Sequence, residues 1–228
     1  MPNRLFEESA HAAPAPARPA DPYAGVGIGD RVTGPKFMGR STVWGANGAA
    51  ATAHPAASLI GIDTLRRGGS AIDAAIAINA ALGFLEPVAN GIGGDAYCLL
   101  WDPKQKTGGG LNGSGASPRA VTVNVPGTVD AWWSAHQRYG KLPWKDVLLP
   151  VAELCEQGAP VPQVIAYYLE RNMAVFDRGV IPIEENDNRK RIWAAGGATP
   201  KVGEVFANPY LGRTLRMIAE GRRDAFYD

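Results

Sequence analysis

The stretch Ser70-Ala-Ile-Asp-Ala-Ala-Ile-Ala-Ile-Asn-Ala-Ala-Leu82 decides how this chain must fold. Ser70, with Asp73 three residues on, reads as a capping box and fixes a helix start at Ala71. From there to Leu82 almost every side chain is Ala or Ile, so the helix is apolar on all sides and must be buried. Its small side chains allow a sheet or a second helix to come close. Just upstream, Pro55 sits at a first helical position, and Leu59, Ile62 and Leu65 recur at helical spacing. Arg66 and Arg67 suit the last turn of that helix, and Gly68-Gly69 stops it. Residues 44–53, rich in Gly and Ala, read as a short strand.

Downstream, Gly83 is expected to end the buried helix. Glu86-Pro87 and a Gly-rich stretch, Asn90-Gly-Ile-Gly-Gly-Asp95, follow. A strand over 96–101, a turn from Asp102, and a returning strand carrying Leu111, Asn112, Gly113 and Ser114 make a hairpin. A β run over 121–125 stops at Pro126-Gly127. Further helices are expected at 128–139, 144–156, 163–176 and 209–221. Residues 1–42 read as an N-terminal arm with a Pro/Ala tract at 12–20, and residues 43–228 as the body.

The 228 residues are 46% hydrophobic and 20% charged with a formal net charge of +1, an ordinary globular composition. So small a charge gives no electrostatic footprint for nucleic acid or an anionic membrane. No apolar run is long enough to span a bilayer, and the N-terminus carries none of signal-peptide length. The cytoplasm is the default compartment, with the periplasm or secretion left open by a removed signal. The two cysteines, Cys98 and Cys155, read as thiols, though one disulfide is open to them.

No complete catalytic set can be assembled from these residues. Gly91 to Asp95 lacks the strand–loop–helix context of a phosphate cradle; its glycines read instead as places of close backbone approach. The three histidines, His11, His54 and His136, show no metal-ligand spacing, so neither a metal nor a cofactor is expected. His54 reads as a turn anchor and His136 as a surface or packing residue. Around Ser114 there is no nucleophile elbow. Glu184-Glu185 and Arg223-Asp224 have solvated-loop surroundings and read as structural charges.

Several stretches resemble the gamma-glutamyltransferase (gamma-glutamyltranspeptidase) family, in the family's order. They are Ala53-His-Pro-Ala-Ala-Ser58, Leu65 to Ala75, Leu85-Glu-Pro-Val-Ala-Asn-Gly-Ile-Gly-Gly-Asp95, Val125-Pro-Gly-Thr-Val129, Tyr139-Gly-Lys-Leu-Pro-Trp144 and Gly221-Arg-Arg-Asp-Ala-Phe-Tyr227. The resemblance implies an α+β fold, the four-layer αββα sandwich of the N-terminal-nucleophile hydrolases. It also implies a precursor that cleaves itself ahead of a threonine. That threonine opens a separate small subunit and supplies both nucleophile and base. This chain would then be the helix-rich large-subunit part, with no catalytic residue of its own. Its partners would be the small subunit and a small amide substrate, and a dimer of heterodimers is compatible with the family.

Two departures from the family shape the expectation. The chain is short between Ser117 and Val125, and family large subunits run on beyond Tyr227. More consequentially, Ser114 stands where typical members carry an arginine that pairs with the α-carboxylate of the gamma-glutamyl group. Exchanging a bidentate guanidinium for one hydroxyl should weaken carboxylate binding by about ten- to a hundredfold. The expected activity is therefore on a small amide other than a standard gamma-glutamyl compound, with Ser114, Asn112 and Asp95 lining the acyl pocket. An orthodox glutathione hydrolase and an inactive scaffold subunit are the alternatives.

Overall fold

In the computed structural model, residues 6–9 (backbone), 42–116, 125–179 and 185–228 are described. Helix α1 (Pro55–Arg66) starts on His54, whose Nδ1 accepts the Ala56 N–H at 3.2 Å. Helix α2 (Ala71–Leu85) opens on the expected capping box: Ser70 Oγ accepts the Asp73 N–H, and Asp73 Oδ2 accepts the Ser70 N–H at 2.7 Å. It runs two residues past Gly83. A glycine costs a helix about 1 kcal/mol relative to alanine, and burying Phe84 and Leu85 outweighs that.

Strands β2 (Ala96–Asp102) and β3 (Thr107–Gly113) form the expected hairpin, with Tyr97 opposite Asn112 and Cys98 opposite Leu111. A strand the sequence did not announce, β1 (Phe6–Ser9), pairs antiparallel with the far side of β3, giving the order β1-β3-β2. The anticipated strand at 44–53 does not form; Val43 and Trp44 are largely exposed. A strand exists only with a ladder partner, and none is offered there among the described residues. Of the run at 121–125, only Val125 is described; its N–H donates to Ala116 O at 2.9 Å.

Helices α3 (Thr128–Tyr139), α4 (Trp144–Gln157), α5 (Gln163–Asp177) and α7 (Pro209–Gly221) lie where periodicity predicts them. Three small elements escaped it: the ladder of β4 (Ala159–Pro160) with β5 (Val205–Phe206), helix α6 (Asn186–Trp193), and the terminal turn α8 (Asp224–Tyr227). Polar α6 has no apolar stripe to read, and the other two are too short for a period to repeat.

The core lies among α2, α3, α4 and α7. Ile76, Ala77, Ala80 and Phe84 meet Val147, Leu148 and Val151, with Leu215 and Ile218 closing the other side. Trp144 Nε1 donates to Ile218 O at 2.9 Å, so its indole is buried with its polar atom satisfied. His136 is half-buried against this core, the packing role expected of it. Its Nε2 lies 2.9 Å from Leu142 O, and its ring packs edge-on to Trp144.

Candidate active site

At the end of the hairpin, Gly113 and Gly115 interlock with Gly127, the N-cap of α3. A Cβ on Gly113 would stand 2.5 Å from Ala131 Cβ, and one on Gly127 would stand 2.1 Å from Gly113 O. Gly115 has φ +68, and a Cβ there would strike Val125 O at 1.8 Å. Only hydrogen fits at these contacts. The Gly-rich loop is tied to the same point. Gly94 O accepts Gly127 N–H at 3.0 Å, Thr128 N–H at 3.1 Å and Thr128 Oγ1–H at 2.8 Å. Within that loop, added Cβ atoms on Gly91 and Gly93 would meet nothing within 4 Å, while the Gly91 backbone passes α2, its Cα 3.6 Å from where a Cβ on Gly83 would stand.

Beside this junction lies an open groove of about 1270 Å³. One wall is the hairpin end, with Tyr97, Asn112 and Ser114. The opposite wall is Pro126, Asp130, Arg223 and Tyr227. Asn112 Oδ1 accepts the Ser114 N–H at 3.1 Å, a local turn that fixes the two side chains relative to each other. Two of the three expected residues, Asn112 and Ser114, therefore line the groove. Asp95 follows Gly94, is exposed, and is not part of the lining.

The far wall holds a network that sequence reading missed. Tyr227 Oη donates to Pro126 O at 2.6 Å and accepts the Asp130 N–H at 3.1 Å. Arg223 Nε donates to Asp130 Oδ1, Nη1 donates to Asp224 Oδ1 at 3.2 Å, and the guanidinium lies 4.9 Å from the Tyr227 ring centroid. Arg223 thus has the structural role expected of it, through Asp130 as well as its neighbour Asp224. The Asp130 hydrogen bond holds its pKa above the usual range, and burial raises the Tyr227 phenol. The one available sequence signal was the terminal Phe-Tyr stretch, which bears no local trace of Pro126 or Asp130. Tyr97 was legible in principle: apolar residues on both faces of 96–101 mark a strand to be covered on both sides.

These groups can bind and orient a ligand. Among the described residues, no histidine lines the groove to activate a hydroxyl. His54 caps α1, and burial lowers its pKa. Burial also raises the pKa of the Cys98 thiol and so disfavours its thiolate. The described residues contain no disulfide, and no group of three or more His, Cys, Asp or Glu that could hold a metal. No described helix is long and apolar enough to cross a membrane.

The sequence profile of gamma-glutamyltranspeptidase matches residues 57–228. A glutathione hydrolase-like YwrD proenzyme of Bacillus subtilis is 32% identical over 193 residues, which are 77% of this chain and 35% of the relative. A glutathione hydrolase proenzyme of the same organism is 31% identical over 206 residues, 80% of this chain and 34% of the relative. Among solved structures, a cephalosporin acylase from Bacillus halodurans superimposes with TM-score 0.76 at 36% identity, over 88% of this chain and 40% of that one. The transpeptidase enzyme CapD of Bacillus anthracis gives 0.69 at 28% identity, over 81% and 61%. The chain spans about one third of the length of the curated relatives it matches. By profile, sequence identity and superposition together, the chain belongs to the gamma-glutamyltranspeptidase family.

Proposed function

We propose that this chain is the large-subunit part of a self-cleaving amide hydrolase or acyltransferase of that family. The observation that carries the reading is a groove that offers binding groups, Asn112 and Ser114, with no histidine among its described lining to activate a hydroxyl. The matched relatives, named as proenzymes, are about three times as long. The remaining chain would supply an N-terminal threonine whose hydroxyl attacks the amide carbonyl; its own α-amine takes the hydroxyl proton and passes it to the nitrogen as the C–N bond breaks, so the amine leaves and an acyl ester remains. The acyl ester would then pass to water or to an amine.

In this reading residues 43–228 form one part of a single four-layer αββα domain, preceded by an arm over 1–42. The sheet supports it. Helix α3 packs behind β3, while Tyr97, Leu99 and Trp101 are 69%, 93% and 55% exposed on the opposite face. An apolar sheet face of that kind calls for a second sheet about 10 Å away. Strand β2 also ends the described sheet with an unpaired edge.

Ser114 in place of a carboxylate-binding arginine supports a substrate outside the standard gamma-glutamyl class. An orthodox glutathione hydrolase is the second reading, favoured by the names of the similar proenzymes. Expression of the whole gene, intact-mass analysis and an anilide panel test these readings. Finding no second chain that begins with threonine removes the mechanism. Rapid gamma-glutamyl anilide cleavage favours the second reading.

A further inference from the structure

We propose that Asn79 is a positioning residue for the groove, its amide holding α3 and the Gly-rich loop in one register. The inference deepens the reading above and rests on it. Asn79 is the one polar side chain of α2 between Ala74 and Leu85. Its Oδ1 accepts the indole N–H of Trp132 at 2.8 Å, and its Nδ2 donates to Asn90 Oδ1 at 3.4 Å. Asn90 Nδ2 in turn donates to Glu86 Oε2 at 3.4 Å. An indole N–H only donates, so the Trp132 contact fixes which way the amide faces. One side chain therefore grips both buried Trp132, in the middle of α3, and the start of the Gly-rich loop.

A polar group set among apolar helices adds little net stability, but it is directional where apolar packing is not. Its best-attested use is to select one register among several of similar packing energy. Here the register matters to the groove. Trp132 follows closely on Asp130, which lines the groove and takes Arg223. The loop ends at Gly94, whose carbonyl oxygen accepts the Gly127 and Thr128 N–H groups at the start of α3. Gly127 lines the groove as well, against Gly113. Asn79 ties the middle of α3 to the loop that carries Gly94, so helix and carbonyl keep step. A shift of α3 against the loop would displace Asp130 and Gly127 together. It would loosen the binding wall and leave a nucleophile on the remaining chain untouched.

The test uses the self-cleaved heterodimer from the whole gene and a panel of gamma-glutamyl, glutaryl, butyryl and phenylacetyl anilides. N79L/W132F removes both polar partners and nearly conserves their summed volume, so its Tm is expected within about 3 °C of wild type. Its KM for the best-cleaved anilide is expected to rise about three- to tenfold, with kcat held within about twofold. A merely structural role would lower the active fraction, and with it kcat, and leave KM alone. N79A, read for KM and by hydrogen exchange, decides the matter if the double variant does not fold. In N79A the Gly127 and Thr128 N–H groups should exchange about tenfold faster than in wild type, beyond any change in the α4 amides, which report global opening. Unchanged KM, or exchange at Gly127 and Thr128 that rises only in step with α4, overturns the inference and leaves amide cleavage standing. No turnover of any anilide by the wild type overturns both the inference and the reading beneath it.

Discussion

The carboxylate of Asp73 and the backbone N–H of Lys141, 68 residues apart, meet at 2.9 Å in the core. The same oxygen, Oδ2, accepts the N–H groups of Leu142 at 3.1 Å and Ser70 at 2.7 Å. The other, Oδ1, lies 3.7 Å from His136 Nε2 with no hydrogen bond among the described residues. One helix cap thus also fastens the α3–α4 turn. Asp73→Ala would strand three donors and should cost about 3 kcal/mol or more, read as a lowered denaturation midpoint of the processed protein. Asp73→Asn, which keeps an acceptor, should cost less. Equal losses in the two variants would refute the acceptor role.

Tyr227 closes the far wall of the groove through Pro126 O and the Asp130 N–H. Tyr227→Phe should lose about 1–2 kcal/mol. Burial raises the phenol's pKa in the folded state above its usual 10.0. Its contribution is therefore complete below about pH 10 and fades as pH rises through the higher folded value. The gap in Tm between wild type and Y227F should narrow above pH 10; a constant gap would contradict the sign.

Cys155 is fully buried, and burial, aided by the charge of Glu156, pushes its thiol up to about 12. Iodoacetamide at pH 8 should leave it unmodified in the native protein, with half-buried Cys98 reacting slowly. In urea both should react. Intact-mass measurement reads the difference, and rapid native modification of Cys155 would contradict the packing.

Gly127 and Gly93 make a matched pair. Alanine at 127 would drive a methyl into Gly113 O and Gly115 N, whereas at 93 it would enter open space. Gly127→Ala should destabilise by about 2 kcal/mol or more, and Gly93→Ala by no more than about 0.5 kcal/mol. Comparison of thermal midpoints decides it. If a partner chain fills the space over the loop, Gly93→Ala will cost more.

Ser114→Arg tests what the groove lacks. If Ser114 occupies the carboxylate-binding position, the substitution should improve kcat/KM for a gamma-glutamyl anilide relative to a neutral one by about ten- to a hundredfold. No change in that ratio would place the acyl carboxylate elsewhere.

How much was legible differs between elements for physical reasons. Helices α1, α2 and α7 carry local caps and apolar spacing, α3 apolar spacing after Pro126-Gly127, and their bounds followed closely. The hairpin followed from its turn, and with it the placement of Asn112 and Ser114. Strand β1 was not legible, because pairing with β3 depends on residues about a hundred positions away. Asp95 lies outside the groove lining, because its position in the Gly-rich loop says nothing about where that loop is anchored.

Sequence alone determined the buried helix, the hairpin and the family, since each is written in contiguous residues or in their order. Tertiary structure decided the groove. The contacts of Arg223 with Asp130, of Tyr227 with Pro126, and of Gly127 with Gly113 join residues remote in the chain. Hydrogen bonds and steric exclusion act over a few ångströms, and only the packed fold brings such distant residues within that range.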